Sequence, residues 1–174
     1  MKLAYTMSDV PGQMNATLGW LASALQAEGL RPVGAVQINR DADTGSKCDM
    51  DLLILPDGPR VCISQSLGPG AAGCRLDTGS LELSVQRAAD RLAEGADIFI
   101  ANKFGKHEGD GRGFRDLIAT ALMQEVPAVV GTTEANLPAF LDFAGGLAEE
   151  VACEGGALLS WCRNARLARQ EVSD

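Results

Sequence analysis

The stretch Ala96-Asp-Ile-Phe-Ile-Ala-Asn-Lys-Phe-Gly-Lys-His-Glu-Gly-Asp-Gly-Arg-Gly-Phe114 runs from an apolar strand into a glycine-rich, charged loop and then into a helix. Ile98, Phe99 and Ile100 suit a strand buried on both faces. Asn102, Lys103, Lys106, His107, Glu108, Asp110 and Arg112 follow within eleven residues. Open α/β sheets bind ligands outside the carboxyl ends of their strands, and this polar cluster begins where such a strand would end. The stretch therefore predicts a site; the plainer alternative is a solvated loop that uses its glycines for turns.

Outward from this stretch, the periodicity predicts alternating elements. Phe114, Leu117, Ile118, Ala121 and Leu122 fall at i, i+3, i+4, i+7 and i+8, the apolar stripe of a helix. Lys2 to Thr6 reads as a first strand, followed by a helix from about Asn15, taken as its N-cap, to Glu28, with Gly29 closing it. Val33 to Ile38 makes the next strand, so the segment predicts a βαβ unit with a parallel pair. Leu52 to Leu55 and Arg60 to Ser64 flank Pro56-Asp57-Gly58-Pro59 and predict a hairpin. A helix near Ser80 to Glu94 carries Leu81, Val85, Ala88 and Leu92 on one face. Beyond the third helix, Pro127 to Gly131 reads as a buried strand, Leu137 to Phe143 as a short helix and Glu150 to Cys153 as an edge strand. Leu158, Trp161, Cys162 and Ala165 mark a last helix, with Arg163, Arg166 and Arg169 on its solvated side. The sum is one domain over residues 1–174: a three-layer, doubly wound α/β fold with a mostly parallel sheet and one β-hairpin insertion.

Composition narrows the function classes. The chain has 174 residues, 46% hydrophobic and 22% charged, enough for one sizeable core. A net charge of −8 argues against a broad nucleic-acid surface, and 5% aromatics leaves few stacking platforms for single-stranded bases. No apolar run approaches the roughly 20 residues that span a bilayer. The start lacks the apolar core of a signal peptide, so the expected location is the cytoplasm. Five cysteines, an odd number with no CxxC spacing, suit reduced thiols better than a disulfide framework or a structural zinc site.

Three places could hold a small anion. Val10-Pro-Gly-Gln-Met-Asn-Ala-Thr17 sits between strand and helix, the layout of a phosphate-binding loop, but its one glycine, Gly12, and its lack of lysine fall short of GxxxxGK[ST]; Pro11-Gly12 also reads as a turn. Gly68 to Asp77 contains Gly70 and Gly73, whose N–H groups could form an anion-binding concavity that Arg75 completes. A connector with Arg75 paired to Asp77 is the equal alternative. Neither spacing nor neighbours assign a role to Cys48 or Cys74. The third place is the stretch after Ile100, where Asn102 and Lys106 are candidate ligand-binding residues and Lys103 and Glu108 candidate catalytic ones. His107, the only histidine, excludes any multi-histidine metal site; beside Glu108 it allows acid–base work, although an exposed state is expected for it. Glu108 and Asp110 could hold magnesium through waters if a nucleotide binds.

Cys48-Asp49-Met50-Asp51-Leu52, Ile63-Ser64-Gln65, Gly73-Cys74-Arg75-Leu76-Asp77 and Asn102-Lys103-Phe104-Gly105-Lys106-His107-Glu108-Gly109 together resemble a bacterial domain family of unknown function, over nearly the full length. That family is similar to small P-loop nucleoside-triphosphatases of the thermophilic and cancer-related type, whose corresponding strand ends in an acidic pair followed by Ile-Gly-x-x-Glu. Gly105 and Glu108 fit that pattern. Asn102 and Lys103 stand where those enzymes carry the magnesium-binding Asp and the catalytic Glu, and the first loop lacks the phosphate-gripping Lys and the magnesium Ser or Thr. The resemblance thus implies a P-loop-NTPase-like fold that binds a nucleotide, phosphate or other oxyanion such as molybdate with little or no hydrolysis, since phosphoryl transfer relies on positioned charge and metal. A divergent nucleoside-triphosphatase using magnesium and a non-catalytic accessory protein in molybdenum or oxyanion homeostasis are the alternatives. Members of the family resemble neighbours of molybdenum-uptake functions. The fragment Asn102-Lys103 lacks the Asp of an Asn-Lys-x-Asp base-reading motif, which weakens a GTPase reading.

Overall fold

The computed structural model describes residues 1–39, 50–65 and 75–173. In chain order the elements are β1 (Leu3–Thr6), α1 (Gln13–Ala27), β2 (Pro32–Asn39), β3 (Met50–Leu55), β4 (Arg60–Cys62), β5 (Ser64–Gln65) and β6 (Arg75–Leu76). These are followed by α2 (Thr78–Ala93), β7 (Ile98–Phe104), α3 (Lys106–Gly109), α4 (Arg115–Met123) and β8 (Ala128–Thr132). A 3₁₀ turn (Glu134–Asn136), α5 (Leu137–Ala144), β9 (Ala148–Glu150) and α6 (Gly155–Ser173) complete the chain.

Seven strands form one sheet in the order β4-β3-β2-β7-β8-β1-β9. β2, β7, β8, β1 and β9 are parallel, and the β3–β4 hairpin adds two antiparallel strands beyond β2. Along β7 the side chains alternate between two cores. Ile98 and Ile100 pack with Leu18, Leu21 and Leu25 of α1 and Leu158 and Cys162 of α6. Phe99 and Ala101 join Leu81 and Ala88 of α2, Leu117 and Ile118 of α4, and Phe140 of α5. A strand buried on both faces has no polar side to show, which is why its sequence reads as a continuous apolar run. The sheet is mostly parallel and doubly wound, with one hairpin, as the alternation predicts.

Several boundaries and pairings differ from the sequence expectation. β1 and β2 are not hydrogen-bonded neighbours: β7 and β8 lie between them, because later strands insert into the gap that α1 bridges. Gly12, with φ 78°, takes the N-cap position of α1, and Asn15 lies in the first turn, where its side chain bonds elsewhere. The C-terminal edge strand lies at Ala148–Glu150, ahead of the expected Glu150 to Cys153. Arg163 is exposed, as expected, and Arg166 and Arg169 are half-buried, but all three are bonded. Arg163 bonds Glu28, Arg166 Nε bonds Asp97 Oδ1 at 3.0 Å, and Arg169 donates to Ala96 O at 3.0 Å, so they fasten α6 to the body of the fold.

Gly34 explains how closely β2 and β7 approach. Its φ is +116°, and a Cβ there would stand 2.0 Å from Ile100 O on the paired strand. Only glycine fits. Asp51, buried at the start of β3, is held by Arg60 Nε of β4 at 2.7 Å, which gives this acidic residue a structural partner across the hairpin.

Candidate functional site

β1 and β8 are adjacent, but the helices that follow them, α1 and α5, cover opposite faces of the sheet. Diverging connections leave a crevice at the carboxyl ends of such strands. Thr6 ends β1, Thr132 ends β8 and Asn102 lies near the end of β7. The α1 N-terminus faces the same end. Met14 and Leu18 of α1 occupy the space that a Cβ on Gly131 would take, with Met14 Sδ 2.9 Å from that position, so α1 lies close on β8.

α1 begins without a side-chain cap. Gln13 N donates to Val10 O at 3.1 Å, and the first bond into the helix runs from Ala16 N to Gly12 O at 3.0 Å. The N–H groups of Met14 and Asn15 have no backbone acceptor among the described residues, which leaves donors and the positive end of the helix dipole at the crevice. Asn15 and Asn102 meet there: Asn102 Nδ2 donates to Asn15 Oδ1 at 3.0 Å. Asn102 is 2% exposed, and its Oδ1 is buried without a hydrogen-bond partner among the described residues, as is Oγ1 of Thr6. Unpaired buried polar atoms are uncommon in folded proteins, and two of them mark the strand ends of this crevice.

At the next residue the β7–β8 register shifts between Asn102 and Phe104. At that irregularity Lys103 is exposed, between the buried Asn102 and Phe104. Local re-aiming of one side chain is what such an irregularity achieves. Lys106 opens α3 and is also exposed.

The loop expected after the strand is a short helical turn fixed by Glu108. The carboxylate is buried at 4% exposure; Oε2 accepts from Gly105 N at 2.9 Å and Oε1 from Phe114 N at 3.2 Å. The first contact is half of a capping box, and the second ties in the start of α4. Gly113, with φ +60°, passes so close that a Cβ would lie 2.2 Å from Glu108 Oε1. His107 is not an exposed loop residue: its Nε2 lies 2.9 Å from Glu82 Oε1 of α2, which also accepts from Gly113 N at 3.0 Å. Its ring is only 10% exposed, so it pins the segment to α2.

These residues do not fit a magnesium ion. Glu108 spends both oxygens on backbone N–H groups, Asp110 is exposed with its carboxylate 3.9 Å from Arg112, and the end of β7 offers a neutral amide and an ammonium where a carboxylate would be needed. No group of three or more His, Cys, Asp or Glu side chains suited to a metal occurs among the described residues. Gly70, Gly73, Cys48 and Cys74 lie outside the described residues. Arg75 enters only through its backbone, paired with Gln65 in the small β5–β6 ribbon, while Asp77 caps α2 by accepting from Ser80 N at 3.1 Å. Hydrogen bonds from Ser80 hold the Asp77 carboxyl below the usual carboxylate range.

The site elements missed by the sequence reading are Asn15 as a partner of Asn102, Thr6, and Glu82 as the anchor of His107. Asn15 had a signal, a polar residue in the first turn after a strand. Glu82 had none, since it meets His107 only through tertiary packing.

Among solved structures, the fold is similar to THEP1 from the hyperthermophile Aquifex aeolicus, with a TM-score of 0.59 at 17% identity over 88% of this chain and 90% of that one. It is also similar to a human cancer-related nucleoside triphosphatase, with a TM-score of 0.61 at 15% identity and 98% coverage of both chains. The likeness to both is one of fold. A sequence relative, the molybdenum import ATP-binding protein ModC 2 of Bradyrhizobium diazoefficiens, is 32% identical over 151 residues. That match takes in 87% of this chain but spans only 17% of the relative's length. The family model described as "Protein of unknown function (DUF2478)" matches residues 3–161, and the chain belongs to that family.

Proposed function

We propose that this protein binds an oxyanion-bearing ligand, a nucleotide or a phosphate-like anion, in the crevice between the α1 N-terminus and Lys103, with little or no hydrolysis of nucleoside triphosphates. The observation that carries this reading is the Asn102–Asn15 amide pair at the end of β7, with the exposed Lys103 as the next residue of the chain. Uncapped N–H groups, amide donors and an ammonium are the chemistry of anion binding. Gly12 and Asn102 shape the crevice, Lys103 and Lys106 supply charge, and Glu108 holds the segment that presents them. Catalysis of phosphoryl transfer is a different requirement, since it needs a metal and an acidic or water-orienting group where this chain has an amide and a cation.

Calorimetry with ATP, GTP, phosphate and molybdate, paired with a phosphate-release assay in magnesium, tests the reading. Saturable anion binding is expected, with turnover on the order of a thousandfold or more below a typical ~10 s⁻¹. Fast hydrolysis abolished by Lys103→Ala would replace this reading with a divergent triphosphatase.

A second reading has its own support. The ModC 2 relative carries a matching region within a much longer molybdenum import ATP-binding protein, which favours an accessory role in molybdenum or oxyanion homeostasis. Binding of molybdate in preference to phosphate and nucleotides would select it.

A further inference from the structure

His107 is the chain's only histidine, and the anion site proposed above does not use it. Its Nε2 lies 2.9 Å from Glu82 Oε1 of α2, and the same oxygen accepts from Gly113 N at 3.0 Å. One carboxylate oxygen thus ties both α3 and the residue before Phe114 to α2. Among the described residues no other hydrogen bond or ion pair joins the 105–114 segment to that helix. An ionised carboxylate only accepts, so Nε2 carries a proton in this contact and a second proton goes on Nδ1. Nδ1 has no hydrogen-bond partner among the described residues. The ring lines a cavity of about 450 Å³ between α2 and the segment, so it can exchange that proton with water.

Protonation leaves the bond to Glu82 in place and makes it charge-assisted, roughly twice as strong as its neutral form. It also adds a cation to a crowded stretch. Lys103, Lys106 and Arg112 lie within the ten residues that include His107. Both lysines are exposed and without an ion pair among the described residues, while Arg112 has Asp110 at 3.9 Å. The other charged groups around the ring are Glu82 of α2, Asp116 of α4, which lines the same cavity, and Glu108, whose oxygens are taken by backbone N–H groups. α5, which also packs on α3, carries one charged residue, Asp142. Glu82 attracts the added charge and the two lysines repel it. An anion held by the lysines cancels that repulsion.

We infer that His107 is a proton-linked control of the anion site: an anion held at Lys103 and Lys106 favours the protonated ring, and the protonated ring, drawn onto Glu82, favours the anion. The inference rests on the anion site proposed above. Its reciprocity is thermodynamic, since the factor by which a bound anion raises proton affinity is the factor by which the proton raises anion affinity. Imidazole suits such a role because its charge changes near neutral pH. Acidification therefore tightens anion binding and holds the 105–114 segment more firmly to α2.

A single histidine makes the test direct. NMR follows the His107 ring through a pH titration at constant ionic strength, with and without saturating sulfate, a dianion that gains no proton near neutral pH. Calorimetry then measures sulfate binding well below and well above the midpoint so found. The midpoint should move up with sulfate, and sulfate should bind about fivefold or more tightly to the protonated form. His107→Gln, which keeps an N–H donor for Glu82, should bind sulfate at both pH values with the weaker, high-pH affinity of wild type. Glu82→Gln, which keeps an acceptor oxygen for both donors, should lower the midpoint of the free protein. Thermal unfolding checks that both variants fold. Sulfate binding with an unmoved midpoint, or a pH dependence that persists in His107→Gln, would overturn the proton link and leave the anion site standing. A midpoint unchanged in Glu82→Gln would overturn the part given to Glu82. No sulfate binding at either pH would overturn both the link and the anion site.

Discussion

Asn102 Nδ2 donates to Asn15 Oδ1 at 3.0 Å, joining two residues 87 positions apart and fastening the end of β7 to the first turn of α1. An amide can do this because it carries a donor beside its acceptor. In Asn102→Asp an ionised carboxylate would face the Asn15 oxygen acceptor to acceptor, at a position 2% exposed. Burial raises the pKa of such a group in the folded state, so the folded state binds the proton more tightly and stability is lost as pH rises above the unfolded carboxylate value. Urea unfolding should show the variant about 3 kcal/mol less stable than wild type at pH 8, with much of the difference recovered at pH 5. Equal stability at pH 8 would remove the amide's structural role.

Glu108 closes the 105–114 segment by accepting from two backbone N–H groups. Glu108→Ala leaves both donors buried without an acceptor, at about 1–3 kcal/mol for each. Glu108→Gln retains a carbonyl acceptor and should lose less. If alanine and glutamine variants unfold at the same denaturant midpoint as wild type, the segment is held by other means.

Lys103 is exposed, and no hydrogen bond or ion pair of its side chain occurs among the described residues. Lys103→Ala should therefore leave thermal stability nearly untouched while weakening anion binding about tenfold or more, the scale of a charge-assisted hydrogen bond. Titrations at rising salt should narrow the gap between variant and wild type. A large loss of stability in the variant would point to a structural lysine.

Thiol reactivity should separate the cysteines. Burial pushes the Cys162 thiol up to about 12, so the reactive thiolate is scarce at pH 8, and the side chain lies fully buried on the inner face of α6. Cys62 is exposed. A thiol reagent at pH 8 should label Cys62 in the native protein and Cys162 only on addition of denaturant, as peptide mapping would show. Rapid native labelling of Cys162 would mean that α6 detaches.

Asp77 caps α2 through Ser80 N and Oγ, and these bonds hold its carboxyl low in the folded state. A depressed folded pKa contributes stability above the unfolded value of about 3.9, lost as pH falls through the folded value. Asp77→Asn keeps a capping oxygen without the titration, so its melting temperature should fall less steeply between pH 5 and pH 2 than that of wild type. Parallel slopes would assign the acid limb to other carboxylates, among them Glu28, which Arg163 also holds low.

Much of the architecture was legible. Ile98, Phe99 and Ile100 announced a strand buried on both sides, and Leu117, Ile118, Ala121 and Leu122 the helix that covers one of them, because side-chain periodicity follows directly from backbone geometry. Pro56 to Pro59 announced the hairpin because turn residues act locally. The polar stretch from Asn102 to Glu108 could be named as a site candidate for a similar reason: a strand end in an α/β sheet is a place the chain itself marks.

Other features depended on residues far apart in the chain. Strand order is one: nothing in residues 1–39 states that β7 and β8 will enter between β1 and β2, since that is decided by which hydrophobic faces pack when the whole sheet assembles. The roles of single polar residues are another. Glu108 reads in the sequence as a free acid beside a histidine, yet folding supplies two backbone donors that consume it, and His107 turns away to Glu82. Asn15 reads as a helix cap and becomes instead the partner of Asn102. The sequence by itself determined the elements, their burial and the place where polar groups gather, because those follow from local propensity and hydrophobic pattern. Only the tertiary structure decided which of those polar groups remain available, because a hydrogen bond between distant residues is fixed by how the elements pack and not by the residues next to it in the chain.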